Sequence, residues 1–330
     1  MSEPAGKTEY FAGVDLGGTK ILAGVFDSDL NCLGRAKVST KSERGDEEVI
    51  ERIARCVRDA VDECDLDLKQ VQAVGIGAPG TIDAGAGRVI FAPNLQWEDV
   101  PLKKILEKEL GLPIFVENDA NAAILGIYET ELSAKPRHVI GIFLGTGIGG
   151  GIILDGKLYS GFNGTAGEIG HMVIEVGGPK CNCGNQGCFE ALASRTAIFR
   201  KLSEAVASGK KTLLTESLGP DLKDLRSGDL RKAIRKGDKL VETIIEEAAE
   251  YTGIAVANLI NLFNPQVVVL GGGVIDALGD EMMAIILETA HDYGMSGALK
   301  GVDIVATKNG DDAGILGAAV LARRQSKQSK

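Results

Sequence analysis

The sequence predicts an α/β fold built from two related halves. Apolar, β-prone runs alternate with segments of helical spacing, which is the pattern of an α/β protein. Three of those runs lead into glycine-rich turns, after Asp15, Leu144 and Leu270. The length of 330 residues suits two domains. Glycine supplies 44 of them, nearly twice the usual share. They fall in short clusters rather than a repeating triplet, so they mark loops where the backbone approaches something closely.

Residues 10–26 read as two strands joined by the turn in Asp15-Leu16-Gly17-Gly18-Thr19-Lys20. Apolar residues at 49, 50, 53, 54, 57, 60, 61 and 64 recur at helical spacing, and Asp46, Glu47 and Glu48 suit the positive end of that helix. Residues 71–76 predict a buried strand running into the loop Gly77-Ala78-Pro79-Gly80. A short helix over 101–110 closed by Gly111, a strand over 114–117 and a helix over 119–129 follow. The second half opens as the first does, with a strand over 138–144, a glycine run over 145–151, a strand over 152–154 and a hairpin turn at Asp155-Gly156. Residues 201–239 are charged with broken helical patterning, and read as a peripheral helical insertion. A long amphipathic helix over 240–263 stops at Asn264-Pro265. The strand over 267–270 ends in Gly271-Gly272-Gly273, a final helix covers 313–323, and 325–330 read as a frayed tail.

Composition narrows the function. A formal net charge of −10, with no long Lys/Arg run before the tail, argues against a nucleic-acid partner, because phosphate binding needs a basic face. The first ten residues lack the apolar core of a secretory signal, and no apolar stretch is long enough to span a bilayer, so a cytoplasmic protein with no membrane partner is expected. In that compartment the six cysteines are expected to be free or metal-bound.

Glycine turns let backbone N–H groups point into a concavity and approach a phosphate. One such turn is ordinarily structural; three, two of them with Thr beside Gly, point to a nucleotide. Two look-alikes fail. Gly145, Gly147 and Gly150 match the dinucleotide fingerprint, but Ile152-Ile153-Leu154 continues as strand where that fingerprint needs a helix. Gly6-Lys7-Thr8 mimics the end of a P-loop, yet Met1 stands at the first glycine position. Asp15 either holds Mg²⁺ beside its turn or caps that turn; the residues alone leave both open.

Cys181, Cys183 and Cys188 lie within eight residues, and His171 stands ten residues upstream. Thiolates and imidazole are the ligands zinc prefers, and four of them close a structural site. Asp119, in Glu117-Asn118-Asp119-Ala120-Asn121-Ala122-Ala123, reads most simply as part of an N-cap cluster. Glu168 and Glu190 flank the metal loop and are equally ambiguous. With Asn118, Asp119 and His171 they offer donors and acceptors suited to ring hydroxyls.

These motifs together resemble the ROK family (repressors, open reading frames, kinases) of the actin-like sugar kinases. The resemblance rests on the turn from Asp15 to Lys20, the Glu117 to Ala123 segment, Gly145-Thr146-Gly147-Ile148-Gly149-Gly150-Gly151, Glu168-Ile169-Gly170-His171 and the cysteine loop with its trailing Glu190. It implies a two-lobed actin-like (ribonuclease H-like) fold with an interlobe cleft. The small lobe would span 1–117 with 312–330 packing back on it, and the large lobe 118–311, carrying the zinc loop 171–190 and the insertion 201–239. It implies Asp119 as catalytic base, Gly80, Asn94, Asn118, Asp119, Glu168, His171 and Glu190 as sugar contacts, and His171, Cys181, Cys183 and Cys188 as ligands of a structural Zn²⁺. Asp15, Gly17, Gly18, Thr19, Lys20, Gly145, Thr146, Gly147 and Gly149 would face the ATP phosphates and their Mg²⁺, with Gly271, Gly272 and Gly273 on the adenosine side. The expected activity is ATP-dependent phosphorylation of the glucose 6-hydroxyl, in a homo-oligomer (dimer or tetramer). Kinases for fructose, N-acetylmannosamine or N-acetylglucosamine share much of this constellation. The family also holds sugar-responsive regulators with a DNA-binding domain in front; about nine residues precede the first strand here, too few for such a domain.

Overall fold

The computed structural model describes residues 9–328 apart from Ser133; Gly6-Lys7-Thr8 lies outside the described residues. The chain divides into two compact units, Met1–Lys135 with Leu158–Ala166 and Asp311–Lys330, and Pro136–Lys157 with Gly167–Gly310. Among the described residues no helix is long and apolar enough to cross a membrane.

In the first unit β1 (Tyr10–Leu16) and β2 (Lys20–Phe26) form an antiparallel hairpin, and β3 (Cys32–Ser39) pairs with the far side of β2. Helix α1 (Asp46–Asp62) begins three residues before its apolar stripe, on the acidic first turn, and buries Val49, Ile53, Val57 and Val61. Strand β4 (Val71–Ala78) runs parallel to β1. A small antiparallel sheet of β5 (Thr81–Asp83), β6 (Arg88–Ala92) and β7 (Trp97–Val100) follows, which no sequence pattern announces. Then come α2 (Leu102–Leu110), β8 (Ile114–Asn118), parallel to β4, and α3 (Asp119–Thr130). The main sheet has the order β3-β2-β1-β4-β8. The chain's last helix, Ala313–Gln328, packs on β1, β4 and α3. Its approach is close enough that a Cβ on Gly75 would collide with the Ala318 carbonyl, and one on Gly317 with the Ala122 carbonyl. Because α3 is held by this helix, the first unit runs on to Lys135 rather than ending at residue 117. The helix continues through Gln328, so the frayed tail expected from residue 325 is helical over its described part.

The second unit repeats the scheme. β9 (Val139–Leu144) and β10 (Ile148–Leu154) form an antiparallel hairpin, and β11 (Lys157–Leu158) returns through Asp155 and Gly156, both at positive φ, as a tight hairpin turn requires. Helices α4 (Phe189–Ala193), α5 (Arg195–Ala207), α6 (Leu214–Leu218), α7 (Ser227–Arg235) and α8 (Lys239–Phe263) follow. Strand β12 (Val267–Gly271) is parallel to β9, and α9 (Gly273–Tyr293) and α10 (Ser296–Leu299) lead to β13 (Asp303–Ala306), parallel to β12. The sheet order, β11-β10-β9-β12-β13, matches that of the first unit strand for strand. The last helix is α11.

Two expectations change here. The segment 201–239 is not peripheral: Leu202, Leu214, Leu222, Leu230 and Ala233 are buried in the core of the second unit, because amphipathic α5 and α7 turn their apolar sides inward despite a charged surface. And β10 begins at Ile148 rather than Ile152, since Gly149, Gly150 and Gly151 pair in register with Phe143, Ile142 and Gly141.

Candidate active site

Each hairpin places a glycine turn at the end of its sheet with a threonine, Thr19 or Thr146, exposed at the tip. In the first, Gly17 N–H donates to the Lys20 carbonyl (2.9 Å). The turn is clamped by Thr40, which is fully buried: its hydroxyl donates to the Gly17 carbonyl (2.6 Å) and its N–H to the Thr19 carbonyl (2.9 Å). A Cβ on Gly18 would meet Asn94 at 3.4–3.5 Å, so exposed Asn94 stands beside this turn. Asp15 closes β1 against the first turn of α11, its Cγ 3.0 Å from where a Cβ on Gly314 would stand. In the second turn Gly145 N–H donates to the Gly147 carbonyl (2.8 Å). The turn therefore comprises Gly145 to Gly147, and Gly149 lies beyond it in β10. Behind it, α5 begins: Arg195 N–H donates to the Gly145 carbonyl (3.0 Å), and the Thr196 hydroxyl to the Thr146 carbonyl (2.7 Å).

Asp119 is the first residue of α3. Asn118 caps the helix, its side-chain oxygen accepting from the N–H groups of Ala120 (3.0 Å) and Asn121 (3.2 Å), while its amide donates to the Gly80 carbonyl (3.1 Å). Buried Glu117 accepts from Asn118 N–H (2.9 Å) and from the Asn121 side chain (3.1 Å). Asp119 Oδ1 accepts from Ala120 N–H (2.8 Å), which leaves a half-buried carboxylate of fixed direction at the positive end of a helix. Asn118 is thus the N-cap of α3, and Asp119 is its first helical residue.

In the second unit the ligand atoms of His171, Cys181, Cys183 and Cys188 all lie within 4.8 Å of one another. Cys183 and Cys188 sulfurs are 3.7 Å apart, and His171 Nδ1 is 3.7 Å from Cys181 Sγ. A tetrahedral zinc with ~2.3 Å bonds to sulfur separates two sulfurs by about 3.8 Å, so the donor set fits this ion. No disulfide joins any of the six cysteines. Burial pushes the Cys181 thiol up and that of Cys188 up to about 12, whereas the Asn185 backbone N–H holds Cys183 below its ordinary value. Thiols packed this closely need a cation before they can ionise together. The loop is shaped by Cys181 N–H donating to the Asn185 carbonyl (2.9 Å) and Gly187 N–H to the Pro179 carbonyl (2.8 Å). His171 turns Nε2 toward Glu168 (3.9 Å). Glu190, two residues past the last cysteine, accepts from Ile148 N–H (2.8 Å) at the base of the second glycine turn and lies 3.9 Å from Cys181 Sγ.

Gly271 ends β12 opposite Phe143, Gly272 is the N-cap of α9 at φ 87°, and Gly273 opens that 21-residue helix. Beside them lies a depression of about 390 Å³ whose lining includes Arg231, Ile275, Asp276, Met283 and Thr307.

The expected site residues therefore fall into groups within each unit: Asp15 to Lys20 with Asn94, and Gly80 with Asn118 and Asp119, in the first; the metal ligands with Glu168, Glu190 and the Gly145 turn, and Gly271 to Gly273, in the second. Thr40, Arg195 and Arg231 join these groups without a sequence signal. Thr40 is one threonine in a charged stretch, and the two arginines sit in helices with no motif of their own.

Comparison with known proteins gives this arrangement its class. The chain is 39% identical to a glucokinase of Thermotoga maritima, over 95% of this chain and 97% of that one. Its structure resembles that of a ROK family glucokinase from Streptomyces griseus in complex with glucose and AMPPNP, with a TM-score of 0.84 and 37% identity, covering 96% of this chain and 99% of that one. The ROK hexokinase of Thermus thermophilus matches with a TM-score of 0.78 and 34% identity, over 97% and 99% of the two chains. The duplicated sheets with their paired glycine turns are those of an actin-like sugar kinase. Within that class the chain belongs to the ROK family, whose profile matches residues 11–325.

Proposed function

We propose that the chain is an ATP-dependent glucokinase that transfers the γ-phosphoryl group of ATP to the 6-hydroxyl of glucose. The observation that carries this reading is its likeness, over 96% of the chain, to a glucokinase held with glucose and an ATP analogue.

The residues support the chemistry in the following way. A sugar hydroxyl is a poor nucleophile, and Asp119, its direction fixed by the Ala120 N–H, orients that hydroxyl and accepts its proton as the phosphoryl group transfers in line. The products are glucose 6-phosphate and ADP. Asn118, Glu168, His171 and Glu190 bind sugar hydroxyls, with Gly80 and Asn94 as further contacts. His171 can do so while ligating zinc, because Nδ1 faces the sulfurs and Nε2 points away from them. A zinc ion held through Nδ1 would leave the proton on Nε2, so that His171 could donate to a sugar hydroxyl. The turns at Gly17 to Lys20 and Gly145 to Gly147 offer backbone N–H groups to the phosphates. The depression beside Gly271 to Gly273 takes the adenosine. Mg²⁺, which Asp15 is placed to hold directly or through water, would supply positive charge to the phosphates. Zinc has a shaping part: it fixes His171 and the loop that carries Glu190. The protein works in the cytoplasm, where ATP is available.

Formation of sugar phosphate from glucose, fructose, mannose, N-acetylmannosamine and N-acetylglucosamine, each with ATP or polyphosphate as donor, tests this reading. Glucose with ATP is expected to give the highest kcat/KM. Absence of glucose turnover with ATP overturns it.

A further inference from the structure

The second glycine turn carries no cation of its own, since residues 145–151 are glycine, threonine and isoleucine only. Yet it has to face the most highly charged part of the nucleotide. A basic side chain from the helix behind it reaches the turn. Arg195 opens α5, and its guanidinium donates a hydrogen bond to the hydroxyl of Thr146, the residue exposed at the tip of the turn. Arg195 is bound there twice, because its own backbone N–H donates to the Gly145 carbonyl (3.0 Å).

Arg195 is one of three arginines without a carboxylate within 4.0 Å among the described residues, and the one of the three that bonds to the turn. The sequence holds fourteen arginines, and among the described residues eleven of them pair with an Asp or Glu within 4.0 Å. Arg195, Arg226 and Arg231 do not. A guanidinium has five N–H donors in a planar fork that matches phosphate oxygens two at a time, and the bond to Thr146 occupies one of them. The backbone behind the turn is already satisfied by Arg195 N–H and by the Thr196 hydroxyl, so the guanidinium is not needed to hold the turn closed.

We propose that Arg195 is a direct ligand of the ATP polyphosphate, aimed by the Thr146 hydroxyl at the turn from Gly145 to Gly147. This rests on the ATP-dependent kinase reading. It assigns the positive charge of that turn to the helix behind it rather than to the turn itself.

The test is nucleotide affinity by calorimetry for Arg195→Ala, Arg195→Gln and Arg195→Lys beside the unsubstituted chain, using ATP, ADP, AMP and adenosine with Mg²⁺. A charge-assisted contact to the β- or γ-phosphate predicts that Arg195→Ala and Arg195→Gln weaken ATP about tenfold or more while adenosine changes less than twofold, and that Arg195→Lys recovers part of the loss. Raising the salt concentration should weaken ATP binding more steeply in the unsubstituted chain than in Arg195→Gln. An equal loss for ATP and adenosine would show that Arg195 merely braces the turn, and unchanged ATP affinity in both neutral variants overturns the proposal as well. If the unsubstituted chain binds no ATP, the kinase reading falls and takes this one with it; intact ATP-dependent glucose turnover with intact ATP affinity in Arg195→Gln removes Arg195 alone.

Discussion

Asp119 and Asn118 are neighbours with separate tasks, and the division follows from helix geometry. Asn118, at extended φ and ψ, turns its side chain back onto the N–H groups of Ala120 and Asn121, while Asp119, already helical, shares only the first of these donors. Removing the charge at Asp119 should therefore leave the helix start intact. For Asp119→Asn the expected result is a loss of about 10²-fold or more in kcat, with the glucose dissociation constant moving only a few-fold. Stopped-turnover kinetics together with glucose titration by intrinsic fluorescence checks this, and retained turnover would mean that another group takes the proton. At this scale the sequence was legible only where residue type and spacing suffice. Four zinc-type ligands in one short stretch speak for themselves. Asp119 needed the resemblance before it stood out from a capping cluster. Thr40 and Arg195 could not be seen, because each acts across more than twenty residues of chain, Thr40 on Gly17 and Arg195 on Thr146.

At the level of elements, the cysteine loop and the second hairpin form one assembly. Glu190 joins the end of the cysteine loop to the first residue of β10, and Phe189 N–H donates to the Met172 carbonyl (2.8 Å) just past His171. A loop of this length, with exposed Asn182, Gly184, Asn185 and Gln186, has little apolar area with which to hold itself closed. Metal analysis of the purified protein should find close to one zinc per chain. Cys188→Ser, which removes a fully buried ligand, should abolish it and raise the KM for glucose well beyond any change in the KM for ATP. Loss of zinc from the variant with an unaltered glucose KM would refute the link between ion and sugar. Other elements were legible in proportion to how local their signals are. The strands flanking each glycine turn and the stripe of α1 depend on nearest-neighbour pattern. The small sheet of β5 to β7 depends on pairing at a distance, its strands are short, and its register slips between Thr81 and Ile82. Helix α9 was missed because its glycine start reads as loop; only the structure shows Gly272 acting as its cap.

For the molecule as a whole, the duplicated strand order is the feature that the hairpin echo foretold, and the return of α11 to the first unit is the one that the resemblance supplied. That return is secured electrostatically as well as by close packing. Glu129, at the end of α3, is mostly shielded from water; its carboxylate accepts from Arg324 Nε (3.0 Å) and from Lys135 Nζ (2.9 Å). Burial pushes this carboxyl up, but the hydrogen bonds from Arg324 and Lys135 outweigh it and hold the group below its ordinary 4.5. A group lowered on folding contributes stability above its unfolded pKa and loses it as pH falls through the folded value. Glu129→Gln should accordingly lower Tm at neutral pH, and the gap to the unsubstituted protein should close as pH falls below 4.5. A gap that stays constant down to pH 3 would assign the effect to shape rather than charge.

Helix α11 has a consequence for how the chain is made. Translation delivers residues 9–130 first, but the face of β1 and β4 that α11 covers has no partner until residues 313–328 emerge. The second unit, complete by Gly310, is finished before the first. On the ribosome the earliest-made sheet therefore waits half-covered for the last-made helix, with Phe11 and Ala73, which pack on Ala322, and the glycines at 13 and 75, which admit that helix, left facing water.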